Sequence, residues 1–242
     1  MKYAVGYQLP DEFDSIVELA RDYRESLEEV YFAWPGQASG RSPLGLFNES
    51  DMDNILEVFE EELSELNKMN IKLVLLFNSN CYGDNSLSVD LKHKVLKLLQ
   101  YITHKYKLSA VTTTSPFIAN SGCLNFSSNQ TFHDNLVAHE SGIVKMENVK
   151  TKYPSPCWEY MEEATNWAAY LQNSWIRPED IHNYEQWFQV AKLATRMHSN
   201  PRRVLSAYAR QKHRGNMMDL TEPSFSSLLI LRRTKTPAKP YE

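Results

Sequence analysis

"KLVLLFNSN", residues 72–80, is the stretch that decides how the chain is read. Leu73 to Phe77 form an unbroken apolar run, closed by Asn78, Ser79 and Asn80. A strand with one wet face alternates apolar and polar residues. A continuous run means that both faces are covered, as in a parallel sheet flanked by helices. On this reading the closing asparagines stand at the strand's carboxyl end, where such sheets bind their ligands.

The neighbouring segments keep the same beat. "YAVGYQL" (3–9) reads as a strand, and "DEFDSIVELARDYRE" (11–25) follows with Phe13, Ile16, Val17 and Ala20 at helical spacing and Asp11 placed to cap it. "EVYFAWPG" (29–36) is a second strand, and the Gly/Ser/Pro-rich loop "GQASGRSPLG" (36–45) leads to a helix over 51–70. After the 72–80 strand come a helix over 89–106 and a strand "AVTTTSPF" (110–117). Strands alternating with helices imply right-handed crossovers, in either a barrel or a doubly wound sheet.

Beyond Phe117 the beat breaks. A helix over 157–172 is predicted, then "SWIRPEDI" (174–181), with a strand-like entry at 174–177 and Pro178 in the first turn of a long helix to about His198. "NPRRVLSAYARQ" (200–211) predicts another helix, with Asn200 as N-cap and Pro201 at its first position. "SFSSLLILRR" (224–233) reads as a last strand, and "TKTPAKPYE" as a loose tail. The count is four βα units, a later strand at 174–177 and a weaker one near 118–124, fewer than the eight of a conventional barrel. The expectation is an α/β fold with extra C-terminal helices, one domain over 1–225, and a strand and tail over 226–242.

Bulk composition narrows the function classes. With 42% apolar residues and 12% aromatics the chain can build a large core. A net charge of −4 gives no general polyanion-binding signature. Three widely spaced cysteines do not make a secretory disulfide framework. "MKYAVGYQLPDEFD" lacks the apolar run of a signal peptide, and no segment is apolar for the roughly 18 residues that span a bilayer. The expected setting is cytoplasmic, without membrane attachment. There is no P-loop, GxGxxG, GxSxG or HExxH pattern.

Polar residues fall at the predicted carboxyl ends: Tyr7 and Gln8; Gln37, Ser39 and Arg41; Asn78, Asn80 and Cys81; Thr113, Thr114 and Ser115; and Arg177 and Glu179 after the later strand. "NSGCLNFSSNQTFHDNLVAHE" (120–140) adds Cys123, His133, Asp134 and His139, and Cys157 follows. Cys123, His133, His139 and Cys157 are donors of the right type for zinc, but Cys-x9-His and His-x5-His match no local ligand geometry. Histidines at that spacing more often cap a helix or pack in a core. The basic run "RRVLSAYARQKHR" (202–214) reads first as a solvated helix face.

"YFAWPGQASGRSP", "LLFNSNCYGD", "TTTSPFIA", "NSGCLNFSSNQTFHDNLVAHE" and "SWIRPEDI" together resemble the peptidase U32 family, the collagenase-like peptidases, over about residues 3–215. The resemblance implies a TIM-type barrel. It also implies either peptidase chemistry or the oxygen-independent hydroxylation of similar proteins, which act on RNA bases or a small aromatic precursor. Those proteins hold a [4Fe–4S] cluster through four cysteines, since thiolates suit iron. Carried over, Cys123 and Cys157 are cluster ligands, Ser127 stands where similar sequences have another cysteine, and Cys81 is a candidate substitute. The family has further βα units where Ala119 here joins Asn120, so the resemblance implies an internal deletion and an incomplete barrel. An opened barrel exposes strand edges, which favours a homodimer.

Two functional expectations follow. In the first, an enzyme uses His133 and Asp134 as proton carriers, Cys81, Cys123 and Cys157 as metal ligands, and Gln37, Arg41, Asn78, Arg177 and Glu179 to hold a peptide, RNA base or small aromatic substrate. In the second, a non-catalytic scaffold has kept the framework and lost the cluster.

Overall fold

A computed structural model of the chain describes residues 1–11, 14–37, 49–79, 87–115, 117–119, 176–196, 198–215 and 217–221. The strands are β1 (Lys2–Gly6), β2 (Leu27–Phe32), β3 (Lys72–Phe77), β4 (Leu108–Thr113) and β5 (Val190–Lys192). They form one curled, wholly parallel sheet in the order β4-β3-β2-β1-β5. Helices α1 (Ile16–Asp22), α2 (Glu49–Lys68) and α3 (Val89–Lys105) are the crossovers, and α4 (Pro201–Ala209) follows β5. The fold is α/β, as the beat of the sequence implies.

Period-two alternation sorts the strand residues onto two faces. One face carries Tyr3, Val5, Val30, Phe32, Leu73, Leu75, Phe77 and Val111, and all four helices pack on it through residues such as Leu19, Phe59, Leu63, Val95 and Leu205. The opposite, inner face has a smaller apolar cluster of Ala4, Tyr31, Val74 and Leu76. Two burying faces explain the unbroken run of β3.

Local chemistry fixes the boundaries. α1 starts at Ile16 because Ser15 Oγ accepts the Glu18 N–H at 3.1 Å, so Ser15, not Asp11, is its cap; Asp11 instead accepts from the Asp14 N–H at 2.9 Å. β2 stops at Phe32, earlier than its apolar pattern. Trp34-Pro35-Gly36-Gln37 then closes a turn through a 3.0 Å Gln37 N–H to Trp34 carbonyl bond, with Gly36 at φ +74, the position that favours glycine in a type II turn. β4 ends where Thr113 Oγ1 accepts the Ser115 N–H at 3.0 Å. Asn200 caps α4 by accepting the Arg203 N–H at 2.8 Å, with Pro201 in the first turn, as read from the sequence. The basic start of α4 is tied to α1: Arg202 forks onto Asp14 with two 2.7 Å bonds and also reaches Asp22.

The region after Pro178 departs from expectation. Instead of a helix reaching His198 there is a 3-10 helix, Pro178–Tyr184, and then β5. Ile176 and Arg177 lie outside any strand. The outer edge of β1 supplies the reason, since its backbone groups need partners. Lys2 N–H donates to the Gln189 carbonyl at 3.0 Å, and Leu193 N–H donates to the Ala4 carbonyl at 2.8 Å, with Ala4 opposite Lys192. Tertiary pairing overrides the helical spacing. Phe117–Ala119, the first described residues near the weaker predicted strand, are helical, with Ala119 N–H donating to the Ser115 carbonyl at 3.0 Å. The predicted helix over 157–172, the strand at 224–233 and the domain limit at 225 lie outside the described residues. Among the described residues, no helix is long and apolar enough to cross a membrane.

Candidate functional site on the inner face of the sheet

The inner face carries charge where a strand interior ordinarily holds aliphatic side chains. Lys192, Ala4 and Glu29 are consecutive partners across β5, β1 and β2, so the small Ala4 separates a cation from a carboxylate. One pleat higher, Gly6 lies beside Tyr31, and Arg196 crosses over Gly6 from the loop after β5. Lys192 Nζ sits 4.1 Å from the centroid of the Tyr31 ring, within cation–π range. That ring is held in place: Tyr31 is 5% exposed and its hydroxyl donates to the Leu193 carbonyl at 2.6 Å.

Among the described residues, no carboxylate lies within ion-pair distance of Lys192. Desolvation by the surrounding wall, and then the Arg196 charge, hold the Lys192 pKa below the ordinary lysine range, against an opposing pull from Glu29. The side chain is nonetheless open to water, so the wall around it desolvates only in part, and the like charge of Arg196 is the firmer of the two causes.

Gly6 is what lets Arg196 cross. A Cβ at position 6 would sit 2.8 Å from Arg196 Cβ, 2.9 Å from Arg196 Cα and 2.9 Å from a Tyr31 ring carbon. Gly6→Ala is therefore expected to destabilise the fold by about 1–3 kcal/mol through overpacking. Urea unfolding checks this, and an unchanged midpoint would contradict the close approach.

Farther along, at the carboxyl edge, Gln8 donates both amide hydrogens to backbone, to Thr195 O at 2.6 Å and His198 O at 2.8 Å, leaving its carbonyl oxygen as the group it can offer. Asn78 and Thr114 are buried at the ends of β3 and β4, and the Thr114 hydroxyl donates to Ser79 O at 2.9 Å. His198 is a fixed neutral tautomer: Nδ1 accepts the Asn200 N–H at 2.9 Å, so Nε2 carries the hydrogen and donates to Asp219 O at 3.0 Å.

The structure divides the residues singled out from sequence. Asn78 and Gln37 lie at the carboxyl edge, Gln37 closing the turn after β2. Arg177 and Glu179 belong to the opposite edge. Glu179 accepts the His213 N–H at 2.7 Å beyond the end of α4, and Arg177 pairs with Glu179 at 3.6 Å. Beside them Glu185 holds the amino group of Met1 at 3.1 Å, at the start of β1. The two pairs therefore do not converge on one site. Arg41, Cys81, Cys123, His133, Asp134 and Cys157 lie outside the described residues. Among the described residues, no group of three or more His, Cys, Asp or Glu side chains is placed to hold a metal.

Sequence reasoning missed Glu29, Tyr31, Lys192 and Arg196. The available signal was Glu29 at the head of the predicted strand over 29–36. Lys192 and Arg196 were hidden in a segment with helical spacing. A buried ionisable pair lies on the helix-facing side: Tyr7 donates to Glu62 Oε2 at 2.6 Å, beneath Phe59. Burial pushes the Glu62 pKa up to about 7, with the Tyr7 hydrogen bond opposing and the Glu18 charge adding. Its setting among core side chains makes it a packing feature. Comparison with protein-family models, curated proteins and solved structures finds no match to this chain.

Proposed function

We propose that the chain is a barrel-type α/β enzyme of the peptidase U32 kind whose inner sheet face binds a small anionic substrate, or an anionic group of a larger one. The observation that carries this reading is the pair of cations, Lys192 and Arg196, set on a sheet interior beside Gly6 and Tyr31. Interior layers of a barrel normally pack branched aliphatic residues, so two like charges side by side on that face suit an anionic ligand. The place of β5 beside β1, on the side away from β2, supports a barrel-type closure. Asn78, Thr114 and Gln8 supply polar groups toward the carboxyl edge, where α/β enzymes hold their substrates.

In this reading His133 and Asp134 remain candidate proton carriers, for redox-linked hydroxylation or for peptide cleavage. A [4Fe–4S] cluster fits the donor set poorly, because Cys81, Cys123 and Cys157 are all the cysteines the chain has. No step is routed through it. That shortage favours the second reading, a non-catalytic binding or scaffold protein without a cluster, self-associated as a dimer. Iron and acid-labile sulfide, measured after purification without oxygen, separate the two: near-stoichiometric cluster supports redox chemistry, and its absence after reconstitution supports the scaffold.

The anion site has its own test. Inorganic phosphate or succinate is expected to raise the unfolding temperature of the wild type, since a ligand at 100 times its Kd adds about 2.7 kcal/mol. Arg196→Gln should abolish the shift, and Arg177→Gln, on the other edge, should keep it. No shift in the wild type, or loss in Arg177→Gln alone, contradicts the assignment.

A further inference from the structure

We infer that the chain pairs with a second copy of itself through the outward faces of α2 and α3. Parallel strands joined by right-handed crossovers leave these two helices side by side and running the same way. Their charges are segregated. α2 holds eight acidic residues and a single lysine, whereas α3 holds four lysines, two histidines and one aspartate. The helices also stand level, because Glu60 accepts from Tyr101 at 2.5 Å and from Lys105 at 2.7 Å. A groove of about 400 Å³ between them is lined by Glu57, Glu60, Glu61, Ser64, Lys105 and Tyr106. Asp53, Glu57 and Glu61, four residues apart, form an exposed acidic stripe on α2, and Lys97 and His104 are exposed on α3. Among the described residues none of these five has an ion pair, whereas Lys94 is paired with Asp90 and Lys105 with Glu60, both at 2.7 Å.

A surface acidic on one helix and basic on the next repels a partner of either single sign over half its area, a nucleic acid or an anionic lipid surface included. It is complementary to itself. A two-fold axis running along the groove, parallel to both helices, sets α2 of one copy on α3 of the other and keeps their levels. Lys97 of one copy then stands between Asp53 and Glu57 of the other, and His104 beside Glu61, each contact occurring twice. An axis across the helices would set α2 on α2, acid on acid. Tyr101, 41% exposed and edge to face on Trp34 at 5.6 Å, adds a ring near the axis. Helices of 20 and 17 residues are about 30 and 25 Å long, so the two together cover about 500 Å² per copy, at the weak end of protein interfaces. A small interface carried by charges dissociates as salt screens them. It lies on the helix layer, away from the inner sheet face, and is independent of the anion site.

The test is sedimentation equilibrium of the full chain. Wild type is expected to dimerise in about 0.01 M salt and to dissociate in about 1 M salt, as the screening length falls from about 30 Å to about 3 Å. Lys97→Glu, and separately the double variant Asp53→Lys with Glu57→Lys, should each weaken dimerisation at least about tenfold, because each sets like charges together twice. Mixed in equal amounts, the two variants should associate again, since the mixed pair holds one native and one exchanged set of contacts. Circular dichroism checks that each variant, altered only at exposed positions, keeps the wild-type fold. A wild type that stays monomeric in low salt overturns the inference. So does a dimer that survives both variants, which would place the contact at the strand edges, or a mixture that fails to associate.

Discussion

Phe59→Ala is expected to cost about 3–5 kcal/mol, the range for removing a fully buried aromatic ring. Phe59 comes from α2 and is 0% exposed. Its ring meets Tyr7 at 4.8 Å, Trp34 at 5.4 Å and Phe32 at 5.7 Å, each edge to face, so one side chain joins α2 to the ends of β1 and β2. Each such pair adds about 0.5–1.5 kcal/mol beyond the apolar area it buries. Deleting the ring opens a cavity that α2 can fill only by moving toward the sheet. Phe188→Ala is the control: Phe188 is 59% exposed, and its loss should change stability by no more than about 0.5 kcal/mol. Urea unfolding of both variants checks the pair. Equal losses would mean that α2 does not pack as described.

Glu62→Gln should change how stability depends on pH. Glu62 is 8% exposed, and burial raises its pKa to about 7, whereas an unfolded glutamate titrates near 4.5. Between those values the folded chain holds a proton that the unfolded chain has lost. The stabilisation is thus complete below pH 4.5 and lost as pH rises through about 7. The expected loss is about 3–4 kcal/mol, since each pKa unit is worth about 1.4. Glutamine keeps an oxygen to accept the Tyr7 hydroxyl but cannot ionise. The variant should therefore match the wild type near pH 4 and exceed it at pH 8. Asp14, held below the ordinary carboxylate range by its Arg202 hydrogen bonds, has the opposite sign, losing stability as pH falls. Taking the difference between variant and wild type cancels it. Parallel curves from pH 5 to 8 would show that Glu62 is not desolvated.

These side chains also show what the sequence could disclose. The first four strands were legible because sheet burial on both faces leaves runs such as Leu73–Phe77, and the last helix because Asn200 caps it. β5 was not legible. It is three residues long, its neighbours Tyr184 and Phe188 share helical spacing, and only pairing to β1 makes Val190–Lys192 a strand. The site was lost with it, because Lys192 and Arg196 gain their meaning from facing Gly6 and Tyr31, residues more than 150 positions away in the chain. Asn78 could be placed because it directly ends a visible strand. Arg177 and Glu179 were assigned to a carboxyl edge by a strand at 174–177, and without it the backbone carries them to the other end of the sheet.

Amide chemical-shift mapping of isotope-labelled protein titrated with phosphate or succinate locates the ligand. Saturable shifts are expected at Gly6, Tyr31, Lys192 and Arg196, with Asn78 following at the carboxyl edge. Shifts confined to Arg177, Glu179 and His213 would move the site to the opposite edge and contradict the inner-face assignment.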